Sequence, residues 1–464
     1  MLFHSPPFFV FFAGYFLAHC LTPPKYRIYL IITGGAIFYA YWNPWLTWVP
    51  FLLAFLGWAG AMWISSSSAS QLRRMRLIVS IILLALPLLI FKYTNFVYQQ
   101  TIQPLLQLPD WTLNVPLPLG VSFVTFTMIA YVVDYYRGIY PLESRFRMVA
   151  AYMIFFPHLI AGPILRPREI IPQLDKPCRA LDVNAKLAIL LFTLGLAKKT
   201  IFAGQFADVV DQVYSGASDL TNLDYLLGIY GFSLQIYCDF SGYTDMAIGL
   251  AVLIGVRLPN NFSRPYISAS VGEFWRRWHM TLSFWLRDYI YIPLGGNRAS
   301  RPRRALNIMV TMILGGLWHG ANWTFVFWGA SHGAFIVLGH FLPYQRRDVF
   351  SPLLKVLAIL ITFHIVTILW IPFRAPNMST VWRVAGGPFT APAGEVAHFL
   401  ALNSYSLFLL VLFAVWHPFD THGRLRFLAM RIKPALLWPM VALVWAIAVS
   451  VSAGSSSKFI YFDF

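Results

Sequence analysis

The sequence predicts an all-α polytopic membrane protein, and its composition, its apolar runs and the placement of its basic residues support this fold class. Of the 464 residues, 58% are hydrophobic and only 11% carry a charge, whereas about a quarter of the residues in a soluble globular domain are charged. Apolar runs close to the roughly 20 residues that span a bilayer as a helix recur along the whole chain. Short basic clusters such as Arg73, Arg74 and Arg76 lie between them.

The distribution of charge and cysteine excludes several other classes of protein. The net charge of +17 is concentrated in short clusters, the pattern that the positive-inside rule describes. Nucleic-acid binding would need a soluble basic face with aromatic platforms, which this sequence does not offer. Cys20, Cys178 and Cys238 match neither a metal-binding spacing nor a disulfide framework.

The candidate membrane segments follow one another from the beginning of the chain to its end. Segments 224–256 and 307–341 are too long for one crossing, and 149–164 and 404–417 are short enough to be re-entrant or half-buried. Segment 6–22 has no positively charged residue before it and is interpreted as a retained anchor. The other candidates are 28–46, 47–64, 78–97, 117–135, 186–206, 354–373 and 434–453.

Basic residues set the predicted orientation. They follow the first, third and fifth segments, for example at Lys25, Arg73 and Arg137, and they also precede the last segment. The positive-inside rule then places both termini outside the cytoplasm, with residues 455–464 outside and an even number of complete crossings. Neither an internal repeat nor a long linker divides the chain, so a single membrane domain over residues 1–464 is predicted.

A histidine deep in apolar sequence is the first candidate for chemistry. His319 lies between glycines in segment 315–323. A neutral imidazole is cheaper to bury than a carboxylate, and it can still accept a proton near neutral pH. The alternative is a core histidine bonded to a nearby carbonyl group, an interpretation that suits His332 and His364 better.

A second histidine lies in segment 273–283, which is amphipathic at helical spacing. Trp278 and His279 would lie on the apolar side of such a helix, and Arg276 and Arg277 toward the other side. Two interpretations remain equally open: a helix lying in the cytoplasmic interface of the membrane, or His279 facing the entrance of a cavity.

Two carboxylates, Asp239 and Asp245, fall within the long apolar stretch around residues 235–245. They lie on different helical faces, which indicates a helix packed in protein rather than in lipid. An aspartate here could pair with Arg276, Arg277 or a histidine in a functional site. A purely structural buried ion pair explains the pattern at least as well.

Residues 291–298 form a weaker candidate, for phosphate binding. Gly295-Gly296-Asn297 predicts a turn with exposed amides, and the arginines beside it could hold an anion. A plain basic cytoplasmic loop is the simpler interpretation. The arginines are Arg298, Arg301, Arg303 and Arg304.

Other reactive arrangements find little support in the sequence. It contains no His-Glu-x-x-His motif. His417 and His422, with Asp420 between them, could ligate a metal, but this spacing has little specificity, and no metal site is predicted. Cys238 has no histidine at a fixed spacing that would activate a thiol.

Taken in order, these segments resemble the membrane-bound O-acyltransferase family, in its bacterial branch that acetylates exported polysaccharides such as alginate. Trp318-His319-Gly320 together with Arg276-Arg277-Trp278-His279 is a highly specific combination. The similarity covers roughly residues 1–464 and is densest over a catalytic core at about 118–342. The segments that carry it are 118–123, 131–138, 156–163, 239–243, 273–283, 285–289, 293–298 and 317–322.

The resemblance implies a fold, a site and partners. The fold would be a ring of tilted transmembrane helices with re-entrant segments around a central tunnel, with His319 as the catalytic histidine and His279 as a second one. Acetyl-CoA is the expected acyl donor, and no permanently bound cofactor is expected. The implied partners are membrane lipid, a periplasmic SGNH-type acetyltransferase and a polysaccharide synthase or secretion complex. The expected substrate-binding residues are Trp318, Asn322, Trp278, Arg276, Arg277, Asp239, Ser241 and Tyr243.

The predicted function is O-acetylation of an exported polysaccharide at the bacterial inner membrane. His319 would accept the hydroxyl proton, and His279 or Asn322 would orient the thioester or stabilise the developing oxyanion. On charge alone, the four arginines from Arg298 to Arg304 would hold the phosphates of coenzyme A. The polymer stays open among alginate, cellulose, peptidoglycan and other glycans, because segment 124–128 and a short loop after Phe341 depart from the family pattern.

Two other functions stay open at this point. A transporter would use the buried ionisable residues as a proton or solute path, although no inverted repeat is evident in the sequence. A non-catalytic scaffold of a secretion complex would need no reactive histidine.

Overall fold

The computed structural model describes residues 1–175, 184–341 and 351–452 together with Ile460. Every regular element in this part of the chain is a helix, so the all-α prediction is confirmed. The chain forms two compact units: unit 1 comprises Met1–Phe192 and Thr244–Pro259, and unit 2 comprises Thr193–Tyr243 and Asn260–Phe464. Cys178 and, apart from Ile460, the predicted outer segment 455–464 lie outside the described residues.

Unit 1 is built around a helix that packs against three others. Its helices are α1 (Pro6–Leu21), α2 (Arg27–Ala40), α3 (Trp48–Ser65), α4 (Ser70–Leu88), α5 (Thr94–Val97), α6 (Gln103–Leu106), α7 (Val121–Tyr136), α8 (Phe146–Ile154), α9 (Phe156–Leu159) and α10 (Pro167–Asp175). The central helix α3 contacts α4, α7 and α8. Gly57 of α3 lies against Met128 of α7, and Gly60 lies against Ser80 of α4. Small residues at these points allow the helices to approach closely, as is common inside membranes.

The predicted site residues belong to unit 2. Two helices, α11 (Ala185–Ala197) and α13 (Asn222–Leu253), contribute residues to both units. The helices wholly within unit 2 are α12 (Gly204–Ser215), α14 (Val271–Trp275), α15 (Met280–Leu286), α16 (Arg301–His319), α17 (Trp323–Phe341), α18 (Pro352–Arg374), α19 (Met378–Thr390), α20 (Val396–Trp416), α21 (His422–Arg431) and α22 (Pro434–Ser452).

Six helical runs in the described residues are long and apolar enough to cross a membrane. The multi-pass membrane class is therefore supported, whereas the orientation and the total number of crossings stay predictions. The runs are Pro44–Ser65, Ser70–Leu106, Ala185–Ser215, Pro352–Arg374, Val396–Phe419 and Pro434–Val451.

The four segments of unusual predicted length have different outcomes. Segment 307–341 breaks into α16 and α17, whereas 224–256 forms the single helix α13 of 32 residues. Segment 149–164 is short in the structure too, since it forms only the end of α8 and the brief α9.

Segment 404–417 is longer in the structure than the short apolar run that suggested a re-entrant or half-buried segment. This segment belongs to α20, whose 21 residues are enough for a complete crossing. Polar residues near its beginning interrupt the apolar pattern of the sequence but not the helix, because Asn403 Nδ2 bonds back to the Phe399 carbonyl oxygen at 3.1 Å. Such a local bond satisfies a polar side chain within its own helix.

Glycines allow α16 and α17 to pack backbone to backbone. A Cβ at Gly316 would overlap the carbonyl oxygen of Phe325, and one at Gly329 would overlap the carbonyl oxygen of Met312. The two helices are separated by Gly320, Ala321 and Asn322. Asn322 begins α17 as a capping residue, because its Oδ1 accepts a hydrogen bond from the Thr324 N–H at 3.1 Å.

Gly316→Ala should destabilise the protein, because its methyl group would meet a backbone oxygen that cannot rotate away. Overpacking of this kind costs about 1–3 kcal/mol. Gly339→Ala on α17 is the matched control, since no atom lies within 4 Å of its added Cβ. We expect a lower melting temperature in detergent for Gly316→Ala and an unchanged or higher one for Gly339→Ala. Equal melting temperatures would contradict the close packing of α16 and α17.

Candidate active site

His319 is the last residue of α16 and is 3% exposed. Its ring centroid lies 4.9 Å from that of Trp318, 5.0 Å from that of Phe373 and 5.2 Å from that of Trp328. The Phe325 ring lies nearly parallel to it at 6.5 Å. These four aromatic residues, called the aromatic shell below, surround the imidazole with largely apolar surface.

The local backbone explains why the imidazole lies at this point. The helix ends at His319 because Gly320 adopts an extended conformation. A side chain at Gly320 would collide with the Phe325 ring, so glycine keeps that ring of the aromatic shell in place. A helix C-terminus carries partial negative charge, which stabilises the positive charge of an imidazole that has accepted a proton.

His279 has a different setting from the one that the sequence suggested. Segment 273–283 is not one amphipathic helix, because α14 ends at Trp275 and α15 begins only at Met280. Between them His279 has a φ of 40°, a left-handed conformation that is rare outside glycine. Periodicity therefore gave the wrong local structure, and both Trp278 and His279 are fully buried.

Asn261 holds the His279 ring in one tautomer. Asn261 Oδ1 accepts hydrogen bonds from the Thr281 N–H and hydroxyl at 3.2 and 2.9 Å. His279 Nδ1 lies 3.2 Å from the same oxygen and must donate to it. In a neutral imidazole the lone pair is then on Nε2.

Trp318 connects the two histidines that the sequence singled out. Its ring centroid lies 4.9 Å from that of His319 and 6.0 Å from that of His279. Phe240 of α13 packs edge-on against His279 at 4.7 Å. The structure therefore brings His319, Trp318 and His279 together at one site.

The remaining residues of segment 273–283 lie in packing or surface positions. Trp278 contacts Trp370, with ring centroids 4.8 Å apart. Arg277 forms an ion pair with Glu273 at 2.8 Å, and Arg276 is exposed. The predicted pairing of an α13 aspartate with either arginine is therefore wrong for Asp239.

Asp239 instead forms a buried ion pair with Lys199, and its other oxygen accepts the Ile460 N–H at 2.9 Å. The preceding residue, Lys198, forms a second ion pair, in which its Nζ lies 2.7 Å from Asp420 Oδ2. All four side chains of these ion pairs are almost fully buried. This is the structural alternative that the sequence left open. Ser241 and Tyr243 are also buried in α13.

Asn322 lies in the loop between α16 and α17, and the four arginines from Arg298 to Arg304 lie just before α16 or in its first turn. Asn322 Nδ2 donates to the Pro376 carbonyl oxygen at 2.8 Å, so its amide already joins two loops. Arg298, Arg301 and Arg303 are exposed and Arg304 is half-buried at the beginning of α16. Their roles toward substrates stay predictions.

Comparison with known proteins identifies the family. The family model of the membrane-bound O-acyltransferases matches residues 145–374. A probable alginate O-acetylase, AlgI, of Azotobacter vinelandii is 38% identical over 84% of this chain and 78% of its own length. The chain belongs to the membrane-bound O-acyltransferase family.

Other relatives show that this family acts on different polymers. A peptidoglycan O-acetyltransferase of Helicobacter pylori is 34% identical over 83% of this chain and 79% of its own length. A teichoic acid D-alanyltransferase of Bacillus subtilis is 28% identical over 53% of this chain and 66% of its own length. The protein is an acyltransferase, as the sequence predicted.

A catalytic role for His319 stays a prediction, and the structure shows a buried imidazole at a helix terminus, which is the setting that such a role would need. The aromatic shell contains no ionisable side chain that competes for the proton, and the helix terminus favours the protonated form that follows proton transfer. Among the described residues no group of three or more histidine, cysteine, aspartate or glutamate side chains is arranged to hold a metal ion.

Sequence reasoning missed several residues of the site. Trp328 and Phe373 contact the His319 ring but resemble ordinary core aromatics in the sequence. His332 is buried as expected, but its partner is the indole of Trp275 rather than a carbonyl group, and His364 is exposed. Lys198 and Lys199 could have been recognised from the sequence as important. They are adjacent charged residues inside an apolar segment, where a charge is energetically costly.

Asn261→Ala should reduce acyl transfer by about 10²-fold, because it frees the His279 ring from its fixed orientation and such misplacement costs about that much. Asn260→Ala is the matched control, since the adjacent Asn260 bonds the half-buried His422 at 2.6 Å instead. Both variants should be measured for turnover and melting temperature. Equal turnover in the two variants would show that acyl transfer does not depend on the orientation of the His279 ring.

Proposed function

We propose that this acyltransferase takes an acetyl group from a cytoplasmic thioester and delivers it across the bacterial inner membrane to a hydroxyl group, for O-acetylation of an exported polysaccharide. The observation that carries this proposal is His319, a buried imidazole at a helix terminus inside an aromatic shell. The similarity to alginate and peptidoglycan O-acetyltransferases supports the acetyl group and a polysaccharide destination.

The proposed reaction transfers one acetyl group and one proton. The hydroxyl oxygen attacks the thioester carbonyl carbon, and His319 accepts the hydroxyl proton as the C–O bond forms. The C–S bond then breaks, and the leaving thiolate takes the proton from His319. General-base assistance of this kind contributes about 10²–10⁴-fold to the rate.

Acetyl-CoA is the proposed donor, and the exposed arginines at the beginning of α16 are proposed to attract its phosphates. Arginine binds phosphate groups through paired, charge-assisted hydrogen bonds. A cytoplasmic position of this cluster follows from the positive-inside rule, which also places both termini in the periplasm.

The acceptor side is proposed to involve partner proteins. A periplasmic SGNH-type acetyltransferase would receive the acetyl group or work beside this protein, and a polysaccharide synthase complex would supply the polymer. Alginate, cellulose and peptidoglycan are the acceptors to compare, since the relatives act on more than one polymer.

Ester-linked acetate on exported polymers tests the proposal in intact cells, whichever partner protein takes part. Cells carrying wild-type protein, His319→Ala or the exposed-histidine control His364→Ala are grown, and acetate is released from the exported glycans by mild alkali. We expect loss of ester acetate only in His319→Ala. Equal ester acetate in all three strains would overturn the proposed function.

Proteoliposomes test the direction of transfer. Labelled acetyl-CoA is added outside, and candidate glycan acceptors are enclosed inside. The proposal predicts labelled ester on an enclosed acceptor with wild-type protein and none with His319→Ala. Entry of labelled donor or acetate without ester formation would instead indicate a transporter.

A further inference from the structure

Two buried N–H groups on α17, one on a residue that contacts His319 and one on its neighbour along the helix face, have no role in the reaction proposed above. Trp328 and His332 are four positions apart in the sequence and therefore lie on the same side of the helix. Trp328 is 1% exposed and His332 is 0% exposed. The centroid of the Trp328 ring lies 4.9 Å from that of His332 and 5.2 Å from that of His319.

Trp275 fixes the tautomer of His332. The indole Nε1–H of Trp275 donates to His332 Nδ1 at 3.2 Å. An indole nitrogen only donates, so His332 Nδ1 must be an acceptor. The neutral ring then carries its hydrogen on Nε2. Phe274 stacks on the same ring with centroids 6.2 Å apart, which limits its rotation.

Both N–H groups lack an acceptor among the residues that the structure describes. This holds for Trp328 Nε1 and for His332 Nε2. A buried donor without a partner is costly, and most buried polar groups in proteins are hydrogen-bonded. Two such donors on one helix face beside a reactive imidazole point to an oxygen atom that binds there.

We infer that Trp328 Nε1–H and His332 Nε2–H donate hydrogen bonds to the carbonyl oxygen of the bound acyl thioester. This inference rests on the proposed function. As the hydroxyl attacks, that oxygen gains negative charge, and two fixed neutral donors stabilise it. When the C–S bond breaks, the electron pair on that oxygen re-forms the C=O bond and the negative charge leaves with the thiolate, so no proton leaves either ring.

Asn322 and His279, which the sequence suggested as donors to the oxyanion, already form other hydrogen bonds. Asn322 Nδ2 donates to Pro376, and the N–H of a neutral His279 is directed to Asn261. Trp328 is also well fixed, since it stacks on Trp370 at 5.9 Å and contacts Phe373 at 5.2 Å. Donors that are fixed before the reaction are more effective than donors that must reorient.

Trp328→Phe and His332→Phe remove the donors while keeping an aromatic ring. The loss of one such donor reduces kcat by about 10²–10³-fold. We expect this loss, with the KM for acetyl-CoA changed by less than about threefold and with the melting temperature preserved. Trp382→Phe is the control, because Trp382 is exposed on α19. If Trp328→Phe has the turnover of Trp382→Phe, the inference is wrong.

Infrared spectroscopy of bound donor separates this inference from the proposed function. Carbonyl-¹³C-labelled acetyl-CoA is bound to His319→Ala protein, in which the donor should persist. Hydrogen bonds from Trp328 and His332 should lower the carbonyl stretching frequency, and adding Trp328→Phe should move it back toward the value in the absence of donors. An unchanged frequency would overturn the inference even if His319 is confirmed as the base. Rapid turnover by His319→Ala would overturn the proposed function instead.

Discussion

His319→Ala should lower the turnover of acyl transfer by about 10²–10⁴-fold while the protein still inserts and folds. The imidazole is the proposed base, and the aromatic shell around it contains no second proton acceptor. Substitution by alanine removes this base without leaving a buried charge. Turnover with purified protein and labelled acetyl-CoA is the measurement.

The control for this variant is His364→Ala, which removes an exposed histidine of α18. It should retain wild-type turnover, and both variants should melt within a few degrees of the wild type. Full turnover in His319→Ala would show that acyl transfer does not need this imidazole as its base.

Lys199→Ala should strongly destabilise the protein, because it leaves the buried Asp239 carboxylate without its ion-pair partner. Breaking a buried pair on one side costs about 3–5 kcal/mol. The effect should be especially large here, since Lys199 lies in the apolar run Ala185–Ser215 and the Asp239 side chain that it leaves is almost fully buried, so that water cannot compensate the charge. The melting temperature in detergent and the yield of folded protein are the measurements.

A double variant tests whether the loss of stability comes from the unpaired Asp239 charge. Lys199→Met with Asp239→Asn removes both charges and keeps an acceptor for the Ile460 N–H, so most of the stability should return. Lys355→Ala, at an exposed lysine of α18, should have no effect. If Lys199→Ala is as stable as Lys355→Ala, the ion pair does not stabilise the fold.

Helices and their breaks could be predicted where the signal is local. Apolar length located most of the helices and indicated that segment 307–341 is too long for one crossing, and the structure divides it into α16 and α17. The apolar pattern underestimated the length of α20, because a polar side chain within this helix forms a hydrogen bond to the helix backbone. It also failed between α14 and α15, because the left-handed backbone of His279 depends on Asn261, which belongs to a different part of the chain.

The site could be predicted only as far as unusual residues reveal it. A histidine among glycines and a histidine beside tryptophans were recognisable, and the structure places both against Trp318. Trp328, Phe373 and Trp275 were not recognisable, because an aromatic residue at helical spacing looks the same in a core and in a site. The partners of Asp239 were missed as well, since Lys199 and Ile460 are distant in sequence.

A single-turnover experiment tests the role of His319 most directly. His319→Gln protein is saturated with labelled acetyl-CoA, the acceptor is added, and donor affinity and transfer rate are measured separately. We predict donor affinity within about threefold of the wild type and a transfer rate at least about 10²-fold slower. An unchanged transfer rate from the bound donor would contradict the account.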